Sequence, residues 1–167
     1  LWSGDERYLE EYWSTWPELW DHGDFAQKDE DGFWFLHGRA DDALNVAGRK
    51  VGPAEIEAVL VEHDAVNQAA AVGVPDDTTG TAVVAYVVPE ADVEPSDELA
   101  EELRAVVGEE HGKPFRPREV LFVEEFPKTQ SGKVIRRAIE AAYKGADPGD
   151  LSSMENPEAF EELKDAS

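Results

Sequence analysis

Apolar residues recur at helical intervals in three stretches between residues 41 and 143. Ile56, Val59 and Leu60 follow Pro53, which suits the first position of a helix, and together they predict a helix over AEIEAVLVEH. Ser96 is predicted to cap a second helix over DELAEELRAVVGEEHG, which a glycine closes. The segment KVIRRAIEAAY predicts a last short helix.

Strands are predicted by runs rich in β-branched residues. VNQAAAVGVPD and TAVVAYVVPE are separated by the turn-rich DDTTG, and REVLFVEEF predicts a further strand. ALNVAGRKV is predicted to be an edge strand or a hairpin. Helices and strands that interleave with short connections are typical of a small α+β layer. We therefore expect an α+β domain over residues 41–143, with a central three-stranded sheet flanked by helices.

Residues 1–40 have a different, aromatic-rich pattern. Trp13, Trp16 and Trp20 have helical spacing that Pro17 interrupts, which predicts an apolar face that packs on a partner surface. DFAQKDEDGFWFLHG predicts a β-hairpin that turns at DEDG, and the polar GRADD then places the domain boundary near Asp41. Residues 144–167 are acidic and weakly periodic, so a disordered tail is expected there.

The charge of the chain indicates a domain adapted to high salt concentration. Its 15 Lys and Arg residues stand against 38 Asp and Glu residues, for a net charge of −23. Such self-repulsion opposes compaction unless salt screens it, and the Debye length falls to about 3 Å at 1 M salt. We expect the cytoplasm of a halophile, specifically a haloarchaeon. The alternative is an ordinary acidic protein with disordered tails.

Several classes of site and location are disfavoured by what the sequence lacks. There is no cysteine, which excludes disulfides and thiolate metal sites, and the four histidines lack metal-ligand spacing. No metal site is predicted. There is no export signal or long apolar run, and the chain starts at Leu1, so we expect a cytoplasmic fragment of a longer protein.

The cations are concentrated in two stretches of an acidic chain, which indicates anion binding. One stretch holds Arg39, Arg49 and Lys50, and the other holds Lys113, Arg116, Arg118, Lys128, Lys133, Arg136 and Arg137. The alternative is that several of them pair with the surplus carboxylates. The net charge argues against nucleic acid as the anion.

The loop FPKTQSGKVIRR is the most specific chemical feature. Ser131 and Gly132 are predicted to place Lys133 at the entry to a helix, where backbone N–H groups favour an anion. A lysine there is a flexible point charge that can reach a carboxylate or phosphate. The alternative is a solvated lysine beside a turn. No glycine stands five residues before Gly132, so the loop is not a Walker A motif.

Two separated motifs, GRADDALNVAGRKVGPAEIE and FPKTQSGKVIRRAI, together resemble the C-terminal domain of the adenylate-forming superfamily. VGPAEIE, GFWFLHGRADD and the Trp/Tyr-rich start resemble acyl-CoA synthetases of the acetyl and propionyl type. The resemblance covers about residues 1–143. It implies that residues 1–40 end a large N-terminal domain, and that residues 41–143 are a mobile C-terminal domain.

The resemblance implies a two-step ligase reaction with ATP and CoA as substrates. A carboxylic acid and ATP give acyl-adenylate and pyrophosphate, and CoA then displaces AMP to give the thioester. Lys133 matches the catalytic lysine of the first step, Asp24 the aspartate that holds the ribose, and Arg39 an arginine that contacts the nucleotide. Asp41 matches the hinge, and Lys50 is the expected phosphate contact.

For the second step, Gly48 matches the glycine that lines the pantetheine tunnel, and Arg49 precedes Lys50 where the family commonly has an aromatic residue or histidine. Gly108 stands where relatives carry an arginine for the CoA phosphate, so Lys113 or Arg116 is expected to substitute. Mg²⁺ is expected to bind through the large N-terminal domain. Because the adenine and acyl pockets are missing here, the chain alone is predicted to be inactive.

Two other readings remain open. The chain could be a freestanding module that binds a nucleotide or CoA, or that docks on a separate subunit, without chemistry. It could also be a ligand-sensing regulatory domain of ferredoxin-like architecture, which would leave PKTQSGK without a role. The aromatic start favours the synthetase, since a freestanding module has no reason to carry an unmatched apolar surface.

Overall fold

The computed structural model describes residues 4–16 and 18–166, so Trp2 and the helix interruption predicted at Pro17 lie outside the described residues. The chain divides into two compact units between Ala43 and Leu44. The boundary expected from the sequence, near Asp41, is a few residues earlier. None of the helices in the described ranges is long and apolar enough to cross a membrane.

The first unit contains a helix and a β-hairpin. Helix α1 spans Asp5–Trp13, and strands β1, Asp24–Lys28, and β2, Trp34–Arg39, pair antiparallel. The Asp29 carboxylate accepts a hydrogen bond from the Phe33 N–H at 2.8 Å and closes the turn. The predicted hairpin is therefore confirmed. Its aromatic and leucine side chains are largely exposed within this chain, Trp34 at 67% and Leu36 at 73%.

The second unit is built around a mixed sheet of three strands. Strands β3, Leu44–Val46, and β4, Arg49–Val51, form a hairpin, and helix α2 follows at Pro53–Val61. Strands β5, Val66–Asp76, and β6, Gly80–Pro89, pair antiparallel, and β7, Glu119–Phe122, joins β6 in parallel. Helices α3, Asp97–Glu110, and α4, Arg136–Lys144, lie between and after these strands, and the last helix, α5, is Pro157–Ala166. The predicted α+β fold is confirmed.

Strand β6 divides the interior into two hydrophobic clusters, because successive side chains of a strand point to opposite faces. Val83, Ala85 and Val87 belong to one cluster, which also contains residues of the β3–β4 hairpin, α2 and α3. Val84 and Tyr86 belong to the other, together with residues of α4 and α5. Both faces of the sheet are therefore covered.

The prediction of a disordered tail over residues 144–167 is wrong for its last part, which forms helix α5. Helix α5 places Phe160 and Leu163 in the second cluster, where they pack with Ile139 and Ala142 of α4, and Leu163 is completely buried. The acidic composition concealed an amphipathic pattern in which Ala159, Phe160 and Leu163 share one face. Because α4 has apolar side chains to cover, the short helix gains enough burial to order.

Candidate functional site

Lys133 lies on a tight loop rather than at the entry to a helix, which corrects the prediction. Helix α4 begins at Arg136, and the backbone before it pairs with the residues after β7. Thr129 N–H donates to the Lys133 carbonyl at 2.9 Å, and the Lys133 N–H donates to Thr129 Oγ1 at 3.2 Å. These bonds hold both backbone groups of Lys133 in the loop, and the helix begins only at Arg136.

The loop presents the Lys133 ammonium to solvent without a counter-ion. Its side chain is exposed, and within residues 4–16 and 18–166 it makes no ion pair and no hydrogen bond. Gly132, with a φ of +78°, allows the turn that brings Thr129 and Lys133 together. In so acidic a chain, an unpaired ammonium on an ordered loop is available for an external anion.

The arginines of the same basic stretch behave differently, because carboxylates or carbonyls hold them. Arg116 pairs with Glu101, Arg118 with Asp76, and Arg136 with Glu57, while Arg137 donates to the Asp150 carbonyl. The hydrogen bond from Arg116 lowers the pKa of Glu101. The alternative interpretation of the cationic stretch, pairing with carboxylates, therefore holds for Arg116, Arg118 and Arg136. Among the described residues, the side chains of its three lysines have no such partner.

Gly48 lies in the two-residue turn between β3 and β4. Both turn residues have positive φ, +50° at Ala47 and +79° at Gly48, as a type I′ hairpin turn requires. Such a conformation is unusual for an alanine, and strained positions cluster at functional sites. A Cβ added at Gly48 would meet no atom of this chain within 4 Å. Turn geometry explains the glycine, and the open space would also admit a ligand.

A network of hydrogen bonds from residues 76–79 holds this turn. Ala47 N–H donates to the Thr79 carbonyl at 3.0 Å, and Thr79 donates its N–H and hydroxyl to the Asp76 carboxylate at 2.7 and 2.8 Å. Those bonds, with one from the Thr78 N–H and one from Arg118, hold the pKa of Asp76 far below its ordinary value. Sequence reasoning missed Ala47 and Asp76, and no motif marked them.

The predicted CoA contacts divide between two places. The Arg49 guanidinium lies 4.9 Å over the Phe115 ring, beside the 3₁₀ turn Lys113–Phe115, so Arg49 and Lys113 share one end of the unit. The Arg116 stem lies against Gly108, where an added Cβ would be 3.2 Å from Arg116 Cβ. Lys50 is exposed, and as the neighbour of Arg49 on β4 it points to the opposite face.

The nucleotide residues expected from the sequence come together in the first unit. Arg39 Nε donates to Asp41 Oδ1 at 3.1 Å, which raises the pKa of the guanidinium, and Nη1 donates to the His22 carbonyl at 3.0 Å. Asp24 lies 3.7 Å from Arg39 Nη1 and also contacts the His22 ring. His22 was missed by the sequence reasoning. The arrangement borders a cleft of about 240 Å³.

Gly23 has a φ of +75°, a backbone conformation that favours glycine. A Cβ at Gly23 would lie 2.6 Å from Arg39 Nη2, but this is the mobile end of a flexible side chain, so the backbone conformation and not the contact selects glycine. The guanidinium lies on this backbone, beside Asp24. Within the described ranges, no group of three His, Asp or Glu side chains could hold a metal ion.

Residues 55–133 match the family described as AMP-binding enzyme C-terminal domain. The chain is 43% identical over 166 residues to an acetyl-coenzyme A synthetase of Pyrobaculum aerophilum, covering 99% of this chain and 25% of that protein. An acetyl-coenzyme A synthetase of Rubrobacter xylanophilus is 42% identical, with 99% and 26% covered. The chain therefore spans about a quarter of the length of these relatives.

The fold also matches solved structures. The anthranilate CoA ligase AuaEII in complex with anthranoyl-AMP superposes with a TM-score of 0.73 at 32% identity, over 84% of this chain and 28% of that one. These likenesses agree in pointing to a small domain that forms part of a longer chain.

Proposed function

We propose that this chain, which belongs with the C-terminal domains of acetyl-CoA synthetase-like adenylate-forming enzymes, is the mobile lid of an ATP-dependent acyl-CoA synthetase. In the first step a carboxylate oxygen attacks the α-phosphorus of ATP, and pyrophosphate leaves. In the second step the CoA sulfur attacks the acyl carbon, and AMP leaves. The large N-terminal domain of the same protein is the lid's partner.

The observation that carries this proposal is the unpaired Lys133 ammonium on its hydrogen-bonded loop. During adenylation negative charge redistributes between the substrate carboxylate and the α-phosphate. A cation that reaches both groups stabilises that charge, and such interactions account for a large part of catalysis in water-excluded sites. Lys133 is therefore the proposed catalytic residue.

The nucleotide contacts follow from the cluster in the first unit. Asp24 is an acceptor-only carboxylate, which suits two ribose hydroxyl donors, and Arg39 is already oriented beside it by His22 and Asp41. Asp41 lies a few residues before the division between the two units, which favours its proposed role as the hinge. Lys50, exposed on β4, supplies a single charge for a phosphate.

The CoA contacts follow from the β3–β4 turn and the surface beside Phe115. Gly48 leaves open space where a thiol arm could pass close to the backbone. Arg49 and Lys113 lie at one end of the unit and offer charge to a phosphate. Arg116 has its stem across Gly108, the position of the family arginine, although Glu101 competes for its guanidinium.

The acid is proposed to be acetate, as the names of the relatives suggest, or propionate, as the resemblance of the sequence motifs implies. Mg²⁺ is proposed to bind with ATP through the large domain. The same small fold occurs in a ligase for anthranilate, an acid of very different shape, so the choice of acid is assigned to the large domain as well.

The isolated 167-residue chain is expected to give no carboxylate-dependent ATP–pyrophosphate exchange and no measurable binding of ATP or CoA by calorimetry, because the adenine and acyl pockets belong to the large domain. The full-length protein is the positive control. Binding of either ligand by the isolated chain, with exchange absent from the full-length protein too, would favour the freestanding module over the lid.

We further propose a halophilic cytoplasm as the setting of the protein, from its net charge of −23. None of the described charged side chains is buried, so the excess carboxylates repel one another across the surface. The melting temperature of the chain is expected to fall steeply as KCl is diluted from about 2 M to 0.1 M, as screening is lost. Circular dichroism measures the melting temperature at each KCl concentration. An equimolar NaCl series is the control, and it should give the same fall because screening depends on ionic strength. An equal melting temperature throughout would contradict the assignment.

A further inference from the structure

The extended segment that carries Lys128 and Thr129 lies outside the named strands, and its backbone is hydrogen-bonded on both edges. On one edge the Pro127 carbonyl accepts from Ile135 N–H at 2.9 Å, and Thr129 N–H donates to the Lys133 carbonyl. This edge therefore holds residues 133–135, which we name the Lys133 arm. Neighbouring residues of a strand direct their backbone groups to opposite edges. The N–H and carbonyl of Lys128 consequently face away from that arm.

Residues 154–156, which we name the tail clip, occupy this second edge. The Glu155 N–H donates to the Lys128 carbonyl at 2.9 Å, and Thr129 forms an antiparallel bridge with Met154. The Lys128 N–H donates to Asn156 Oδ1 at 2.9 Å. Both backbone groups of Lys128 are thus satisfied by the tail.

Asn156 also reaches one step further along the same segment. Its Nδ2 donates to the Phe126 carbonyl at 2.9 Å, and Phe126 is completely buried in the second hydrophobic cluster. A neutral amide is a donor and an acceptor at once, which lets one side chain hold a carbonyl and an N–H two residues apart. Asn156 thereby ties the start of the loop to the core.

Helix α5 keeps the clip in place. It begins at Pro157, directly after Asn156, and its Phe160 and Leu163 are buried against α4. The Asn156 carbonyl accepts from the Ala159 N–H at 3.2 Å, so the residue starts the helix with its backbone while its side chain holds the loop. The family match ends at residue 133, so the clip lies outside it.

We infer that Asn156 is a positioning residue for Lys133, acting through the backbone of residues 126–129 that its side chain holds. The inference rests on the proposed role of Lys133 in adenylation. A small displacement of a catalytic group can lower the rate greatly. The backbone hydrogen bonds of Lys133 and Ile135 hold Lys133 in place only if residues 127–129, to which they attach, are themselves held. Thioester formation does not use Lys133 and should not depend on the clip.

The test uses Asn156→Ala in the full-length protein, with the two half-reactions assayed separately at high KCl. Carboxylate-dependent ATP–pyrophosphate exchange is expected to fall about tenfold, the effect of losing one to two hydrogen bonds. Thioester formation from supplied acyl-adenylate is expected to stay within about twofold. Asn156→Asp, which has the same shape but gives the Phe126 carbonyl no donor, is the second variant and should also lower exchange.

Three controls separate positioning from general destabilisation. Asn67→Ala removes an exposed asparagine whose side chain donates to Glu90 at 3.4 Å, and it should change neither half-reaction. Hydrogen exchange of the Lys128 amide should become faster in Asn156→Ala. In a Lys133→Ala background, Asn156→Ala should have no further effect on exchange, because residues that act as one unit are not additive.

The outcomes decide between the inference and its premise. If Lys133→Ala lowers exchange but Asn156→Ala and Asn156→Asp leave it unchanged, the positioning role is wrong and the proposed function stands. Equal losses in both half-reactions, or full additivity with Lys133→Ala, also overturn it, since they indicate a structural role only. If Lys133→Ala itself has no effect, the proposed function fails instead.

Discussion

Replacing Lys133 with alanine in the full-length protein is expected to lower carboxylate-dependent ATP–pyrophosphate exchange by about 10²- to 10³-fold, the usual effect of removing one preorganised charge-stabilising donor. Thioester formation from supplied acyl-adenylate should be retained. The reason is geometric, because an exposed ammonium on an ordered loop can assist the step in which charge develops on the carboxylate and α-phosphate. Labelled pyrophosphate exchange and thiol consumption measure the two steps separately.

Lys128→Ala is the matched control, since Lys128 lies on the same loop and is held through backbone groups that the substitution leaves in place. Both half-reactions should be nearly unchanged in it. Lys133→Arg should recover only part of the exchange, because a planar guanidinium does not reproduce a compact point charge. If both half-reactions survive in Lys133→Ala, Lys133 is a solvated loop lysine, and the binding-module reading becomes the better one.

Gly48→Leu is expected to have the reciprocal effect, a loss of thioester formation of about 10²-fold or more with exchange largely retained. The leucine side chain would fill the open space in front of the β3–β4 turn, where the thiol arm of CoA is proposed to pass. A ligand that cannot enter productively loses the positioning on which the rate depends. Thioester formation from acyl-adenylate at several CoA concentrations measures this.

Backbone strain at Gly48 has to be separated from steric blocking. Gly149→Leu is the control, because Gly149 has a φ of +74°, close to the +79° of Gly48, and a Cβ there would also meet nothing within 4 Å. Forcing leucine into positive φ costs about 1–2 kcal/mol at either site. A matching drop in melting temperature without loss of activity is expected in the control. If Gly149→Leu impairs thioester formation equally, the effect at Gly48 is strain and the tunnel assignment is wrong.

Local sequence patterns were sufficient for most of the fold. The β-branched runs form β5 and β6 as predicted, and the successive residues Val83 and Val84 enter separate clusters on the two faces of the sheet. The cap at Ser96 formed as predicted, with Oγ accepting from Leu99 N–H at 3.2 Å. These features depend on neighbours in sequence, which is why short-range rules predict them.

Features that depend on specific contacts rather than on local periodicity were not predictable in this way. The start of α4 was misplaced because the N–H and carbonyl of Lys133 are bonded to Thr129. The order of α5 was missed because it depends on the apolar side of α4. The Arg136–Glu57 pair joins residues far apart in the chain, so composition indicated a cationic patch where the fold provides a counter-ion. Burial and pairing across the sequence decide these cases.

The late position of α5 has a consequence for biosynthesis. Translation proceeds from the N-terminus, and a domain can complete its folding only when all its elements have left the ribosome. Strands β5–β7 and α4 emerge before α5, so the α4 face formed by Ile139 and Ala142 stays uncovered until residues 157–166 arrive. A nascent chain stalled before that point would expose this apolar surface, and it would lack the tail clip that holds the loop bearing Lys133. Quality-control factors that bind exposed apolar surface would therefore recognise such an incomplete chain.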